Sequence, residues 1–167
     1  MLNLSIALPI KVQNGGLFIS RGVGRHPARK LTSWEIIFVE KGTLTIQEEN
    51  TQFQVNAGES LLLWPQRRHV GVEDFPEDLK FYWLHFEVDE RFPALPNAAP
   101  LAIEQHCHVR DPDYVIALFR QFLSEQEKLH RSQALEMMLL LILQQISLSP
   151  GYEDNADDAG AAMAWKA

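Results

Sequence analysis

The residues best suited to bind a small molecule are His69 and His85, each beside a run of aromatic or apolar side chains. A neutral imidazole offers one donor and one acceptor nitrogen. The segment Lys80 to Val88 reads KFYWLHFEV. As a strand, its period of two puts Phe81, Trp83 and His85 on one face and Tyr82, Leu84 and Phe86 on the other. Aromatic faces beside a polar tip suit sugars and other small polar organics, whose C–H faces stack on rings while hydroxyls take hydrogen bonds. The plainer alternative is an ordinary core with two hydrogen-bonded histidines. Arg67-Arg68-His69 follows Pro65; its guanidiniums either grip a carboxylate or phosphate or form a solvated turn. On a strand, His106-Cys107-His108 would aim both imidazoles to one face, and a third ligand would complete a metal site. No acidic or His partner stands at a persuasive spacing, so the triplet reads as an edge pair with an incidental thiol. There is no G-x-S-x-G, Walker loop or G-x-G-x-x-G. Arg21-Gly22-Val23-Gly24 reads as a turn.

Short strands must position these groups. Leu17–Ser20 follows the Gly15-Gly16 turn signal, and Trp34–Glu40 (WEIIFVE) is aromatic and β-branched. Lys41-Gly42 followed by Thr43–Glu48 predicts a hairpin. Thr51–Asn56 (TQFQVN) alternates strictly, with Phe53 and Val55 on one face; Ser60–Trp64 (SLLLW) is a buried-type strand stopped by Pro65. Many short strands with Gly and Pro turns predict a sandwich or barrel. The Pro-rich run Arg91–Pro100 is a connector, and Leu101–Val109 contains the last strand candidate.

Two helices follow. Asp111 is a good N-cap with Pro112 at the first helical position. This helix should run to about His130, with Val115, Leu118, Phe119 and Phe122 on one face. Ser132 is the candidate cap of the second helix, which should end near Ser149-Pro150-Gly151. Leu135, Leu139, Ile142 and Ile146 form one stripe of it; Met138, Leu141 and Leu148 form another. A helix apolar nearly all round needs partners on two sides. One face would meet its own barrel and first helix, the other a second copy, although sandwiching within one chain would also satisfy it. Tyr152–Gly160 is acidic and polar and reads as a linker. The predicted organisation is a barrel over residues 1–110, a helical hairpin over 111–150 and a linker over 151–167.

The 167 residues carry 15 basic and 22 acidic side chains, a net charge of −7, with 46% apolar content. That composition excludes wholesale disorder and a disulfide scaffold. An acidic chain is a poor polyanion binder, because phosphate recognition runs on Lys and Arg. One cysteine cannot form an internal disulfide, which fits a reducing compartment. The N-terminus has no basic region and no sustained apolar core, unlike a signal peptide. The longest apolar run, Met137–Leu143, is far short of the ~18 residues a membrane span needs. The expectation is a soluble, cytoplasmic protein without membrane contact.

Taken together, these segments resemble the N-terminal sensor domain of AraC-family transcriptional regulators over about residues 15 to 150. The resemblance is carried by Arg29, by Trp34-Glu35-Ile36-Ile37-Phe38-Val39 leading to Gly42, and by Ala57-Gly58-Glu59-Ser60-Leu61-Leu62-Leu63-Trp64-Pro65 with His69 following. Phe81-Tyr82-Trp83-Leu84-His85-Phe86 and the two helices complete it. It implies a mainly β fold, a cupin-like double-stranded β-helix or jelly-roll barrel, followed by an antiparallel helical hairpin. It also implies a small effector, often a sugar, inside the barrel. Arg29, Trp34, His69, Phe81, Trp83 and His85 are the effector-binding candidates. Leu135, Met138, Leu139, Leu141, Ile142 and Ile146 would pair two copies. DNA would be read by C-terminal helix-turn-helix motifs expected outside these 167 residues.

Two departures from the pattern matter. Metal-binding cupins carry an H-x-H and a Glu near the first hairpin and a His in the second motif. Here only His69 survives of that set, so no metal and no other cofactor is expected. Trp64-Pro65-Gln66 stands where Pro-Pro-Gly is frequent. Apart from these two, Phe81 stands where arabinose-binding members carry a polar residue, which argues against arabinose. The reading is a non-enzymatic effector sensor. Its competitors are a small metal-dependent cupin enzyme, such as a sugar isomerase or dioxygenase, and an interaction module with an empty barrel.

Overall fold

The computed structural model describes residues 1–3, 6–92, 101–128 and 133–147. Nine strands precede two helices among these residues: β1 (Ile10–Ile19), β2 (Arg29–Lys30), β3 (Trp34–Lys41), β4 (Thr43–Glu48), β5 (Thr51–Asn56), β6 (Glu59–Leu63), β7 (Arg68–Gly71), β8 (Lys80–Val88), β9 (His106–His108), α1 (Pro112–Gln126) and α2 (Ala134–Ile146). One sheet has the order β1-β8-β3-β6-β9, the other β2-β7-β4-β5, and every pairing is antiparallel. The two sheets close on each other as a jelly-roll barrel, as expected.

The predicted hairpin at Lys41-Gly42 does not form. β3 pairs with β6 and β8, whereas β4 pairs with β5 and β7. The chain instead crosses from one sheet to the other at Gly42. Its φ of +74° favours glycine, and a Cβ there would lie 2.9 Å from the Leu79 Cα. The sequence signal for a tight turn was sound, but a turn residue does not say whether the next strand returns beside the last.

β3 is buried at five successive positions. Both its faces are covered, so an almost continuous apolar run replaces alternation. Ile37 and Val39 point into the barrel, with Leu44, Ile46, Val55, Leu61, Leu63 and Phe81. Ile36 and Phe38 point the other way, with Tyr82, Leu84 and Phe86, onto the helices. The predicted faces of β8 are therefore the observed ones.

Asp111 caps α1 by accepting from the Tyr114 N–H at 3.0 Å, and Val115, Leu118, Phe119 and Phe122 form its buried face. α1 stops at Gln126 rather than near His130. α2 is capped at Gln133, which makes no side-chain cap bond; the candidates Ser132, Leu148 and Ser149-Pro150-Gly151 and the 151–167 linker lie outside the described residues.

The largest correction concerns α2. Leu135, Leu139, Ile142 and Ile146, assigned from sequence to a dimer contact, are buried in the core that this chain builds with its own sheet and α1. Each such side chain contributes ~1.5–3 kcal/mol by leaving water, and here it does so within one protomer. Met138 is half-buried against the same core. Only Leu141 of that set is exposed, at 45%, with Met137 one turn before it at 38%.

The sequence missed three strand segments. β2 and β7 carry charged residues on their outer face, and the start of β1 (IKVQNGG) mixes polar residues with glycines that weaken β-propensity. Gly16 is needed there because the Trp83 ring lies over it, 2.6 Å from where a Cβ would sit.

Candidate functional site

Most of the barrel interior is apolar, but one end is not. Glu35 on β3 and His85 on β8 are cross-strand neighbours and lie on the inward face. His69 reaches in from β7 of the opposite sheet. His26 joins them from the loop before β2. That loop lies against β7 because Gly71 has no side chain: its N–H donates to the His26 carbonyl at 2.9 Å, and a Cβ would fall 2.5 Å from the His26 nitrogen.

The four side chains are packed but poorly satisfied. His69 Nε2 lies 3.8 Å from Glu35 Oε2, and His85 Nε2 lies 3.8 Å from Glu35 Oε1. Both gaps exceed a hydrogen bond. His69 is 1% exposed, yet neither of its ring nitrogens has a partner, and Glu35 Oε2 has none either. Such groups ordinarily find a bond, because leaving one unmade costs ~1–3 kcal/mol. The other two imidazoles are held from behind. His26 Nδ1 donates to the Pro27 carbonyl at 3.1 Å, which leaves Nε2 with the lone pair in the neutral ring. His85 Nδ1 is hydrogen-bonded to Ser33 Oγ at 3.2 Å. The His26 and His69 rings are 5.3 Å apart, and Trp83 meets His85 edge-on at 5.1 Å.

Burial sets the charge of the cluster. It pushes the Glu35 carboxyl up to about 7, against the opposing pull of the Arg29 charge. It pushes His26 down to about 4, helped by His69, and His85 down to about 4, helped by Arg29. His69 is lowered for the same first reason, with Glu48 pulling the other way. Desolvation disfavours the charged form of each group. Near neutral pH the cluster therefore holds three uncharged imidazoles around a half-titrated carboxyl. Glu48, opposite His69 on β4, is by contrast fully occupied. It accepts from the Trp64 N–H at 2.7 Å, from Gln105 at 2.6 Å and from Arg67 at 3.3 Å.

Of the residues singled out in the sequence, His69 and His85 come together. Trp83 borders them, half-buried, while Phe81 lies deeper, stacked on Phe18 at 4.8 Å. Arg29 is exposed beside His69 on the neighbouring strand and acts on the cluster through its charge. Trp34 is not in the barrel. It lies on the helix-facing side, 4.6 Å from Trp64 by ring centres. There it lines an apolar groove of about 360 Å³ with Leu62, Phe86, Leu140 and Leu143. The parity of β3 decides this, since Glu35 faces in and its neighbour must face out. Arg67 stacks over Trp64 at 4.6 Å and donates to the Glu48 carboxylate at 3.3 Å. His106 lies on the edge strand β9 and pairs with Glu59 at 3.0 Å, an acidic partner that spacing along the chain does not reveal.

Sequence reasoning missed Glu35 and His26. Glu35 was legible, because a carboxylate in step with Ile37 and Val39 must enter the interior they line. His26 was not, since nothing in Gly24-Arg25-His26-Pro27 shows where the loop lies. The expectation that His69 stands alone fails on both counts.

Fold and site together define a two-sheet barrel with a buried histidine–carboxyl cluster at one end and a helical pair on its outer face. The chain belongs to the AraC-like ligand binding domain family, whose pattern it matches over residues 20–143. An uncharacterized HTH-type transcriptional regulator, YisR of Bacillus subtilis (strain 168), is 38% identical over 77 residues, which span 42% of this chain and 27% of that protein. The matched stretch thus covers well under half of that relative. Among solved structures, YhaK of Escherichia coli aligns over 59% of this chain and 41% of its own, at 13% identity and a TM-score of 0.42. A Cupin 2 conserved barrel domain protein of Salinispora arenicola CNS-205 aligns over 51% of this chain and 69% of its own, at 18% identity and a TM-score of 0.39. No helix among the described residues is long and apolar enough to cross a membrane.

Proposed function

We propose that this domain is the effector-sensing and dimerising part of an AraC-type transcriptional regulator acting in the cytoplasm. It binds a small polar metabolite, a sugar or a related oxygen-rich molecule, at the His26–Glu35–His69–His85 end of the barrel. It does not transform that molecule. The observation that carries this reading is the buried His69 ring with two unpartnered nitrogens beside an unpartnered Glu35 oxygen. A hydroxyl donates to one such atom and accepts from another, so a polyol supplies the bonds these atoms lack. Trp83 offers the adjoining aromatic wall.

Two copies pair through the exposed strip of α2 around Met137 and Leu141, and DNA binding is controlled through a helix-turn-helix domain outside this chain. Effector binding shifts that control only by its differential affinity for two arrangements, typically ~1–3 kcal/mol. The test is a titration of the purified chain, kept in chelator, with pentoses, hexoses and small hydroxy acids. Trp83 fluorescence and melting temperature are the readouts. A saturable response lost in His69→Leu supports the reading. No response from any polyol or hydroxy acid, or one that survives His69→Leu, overturns it.

A further inference from the structure

His26, Glu35 and His69 are all buried, and one donor atom from each lies within 4.8 Å of the others. Two imidazoles and one carboxylate with open positions are a ligand set that binds divalent zinc or iron. Bonds of ~2.0–2.1 Å place tetrahedral donors roughly 3.3 Å apart. The observed 3.8 Å between His69 Nε2 and Glu35 Oε2 needs to close by only about 0.5 Å to meet that spacing.

The surroundings point the same way. His26 presents a bare Nε2 because its Nδ1 donates to the Pro27 carbonyl, the arrangement that fixes the tautomer of a metal-bound histidine. His69 keeps both nitrogens unbonded, and Glu35 keeps Oε2 unbonded, although water cannot reach them. His85 Nε2 stands 3.8 Å from the other oxygen of Glu35 and is anchored behind by Ser33, so it can orient that carboxylate or add a third nitrogen as fourth ligand. A dication takes one His69 nitrogen, Glu35 Oε2 and His26 Nε2 at once, and leaves the other His69 nitrogen to carry the ring proton.

We infer that His26, Glu35 and His69 form a binding site for one divalent first-row transition ion, with His85 as the supporting imidazole. The inference rests on the same end of the barrel as the proposed effector site and adds the ion as a further contact, one that the effector does not need in order to bind through the protein's own donors. An oxygen-rich effector would then be recognised by the ion's open positions as well as by protein donors.

The test uses the purified chain stripped with chelator and titrated with Co²⁺ and Zn²⁺, with no small molecule present. The expected result is one ion per chain and visible absorption from the cobalt form. His69→Gln and His26→Gln should each weaken binding by at least ~10–100-fold, the loss typical even of outer-shell partners, while the His106→Gln, His108→Gln double variant binds as before. Absence of saturable binding overturns the inference, as does binding that survives His69→Gln but not the double variant. Should the His69 variant fail to fold, zinc X-ray absorption on the unmodified chain decides. Two or three imidazoles support the site, and sulfur from Cys107 or no imidazole overturns it. Because the polyol titration is done in chelator, its failure and the failure of metal binding are separate results.

Discussion

Replacing His69 with leucine separates a binding residue from a core residue by the sign of a stability change. A structural histidine gives up its hydrogen bonds on such a change, and the fold loses stability. Here there are none to give up. His69 is 1% exposed and both ring nitrogens are unpartnered. Each such atom costs ~1–3 kcal/mol of unreturned desolvation, and exchange for an apolar group of similar size removes that penalty. Against the gain stand the lost ring contact with His26 and the changed shape, together up to about 1.5 kcal/mol for a volume-conserving swap. The expected net effect of His69→Leu is a gain of about 1–3 kcal/mol, or several degrees in melting temperature for a chain of this size. The assay is urea unfolding followed by tryptophan fluorescence at pH 8, where His69 is neutral, with chelator present so that no ion stabilises the parent. A variant less stable than the parent by 1 kcal/mol or more would refute the argument. It would show that the ring has partners in solution and is held by the fold.

Four further outcomes follow from the structure. Glu35 has a raised folded value of about 7 against 4.5 for the ordinary carboxyl. The stability it contributes is complete below pH 4.5 and lost as pH rises through 7, so Glu35→Gln should gain on the parent by about 3 kcal/mol across that window; a pH-independent difference would contradict the burial argument. His26 and His85 have folded values near 4, so their share is present above pH 6.5 and is lost as pH falls through 4, and acid unfolding of the parent should begin in that range. On α2, Leu141→Asp should yield a folded monomer in sedimentation, whereas Leu139→Asp should unfold the chain, because Leu141 is 45% exposed and Leu139 0%; an unchanged dimer in Leu141→Asp rules out pairing through this strip. Gly71→Ala should displace the His26 loop, whose nitrogen would lie 2.5 Å from the new carbon, and should weaken cobalt binding while far-UV circular dichroism stays that of the parent.

What was legible in the sequence follows from which interactions are local. The period of β8 fixed its two faces, and the Asp111-Pro112 start fixed the first turn of α1, because both signals act within a few residues. The Lys41-Gly42 turn was visible as a turn but not as a crossing between sheets, since strand pairing is decided by residues such as Leu63 and Phe81 far along the chain. The apolar girth of α2 was plain, yet its partner was not. A stripe of Leu and Ile carries no record of whether it meets its own sheet or another protomer, and Leu139 and Ile142 found α1 and the sheet first.

The site shows the same limit in a sharper form. His69 stands out in the sequence as a lone histidine after an apolar strand and a proline, and the missing H-x-H of the metal-binding cupin pattern leaves it there without a second imidazole. Its partners come from three other elements: a loop 43 positions earlier, β3 and β8. Antiparallel pairing of β3 with β8 sets Glu35 beside His85, closure of the barrel brings β7 over both, and Gly71 lets the His26 loop settle on top. No spacing rule along the chain encodes that meeting. It was reachable only through strand parity: Glu35 keeps step with Ile37 and Val39, so burying those two commits a carboxyl to the interior. A carboxyl committed to an apolar interior requires a partner, and that requirement joins the sequence to the ion and the effector argued for here.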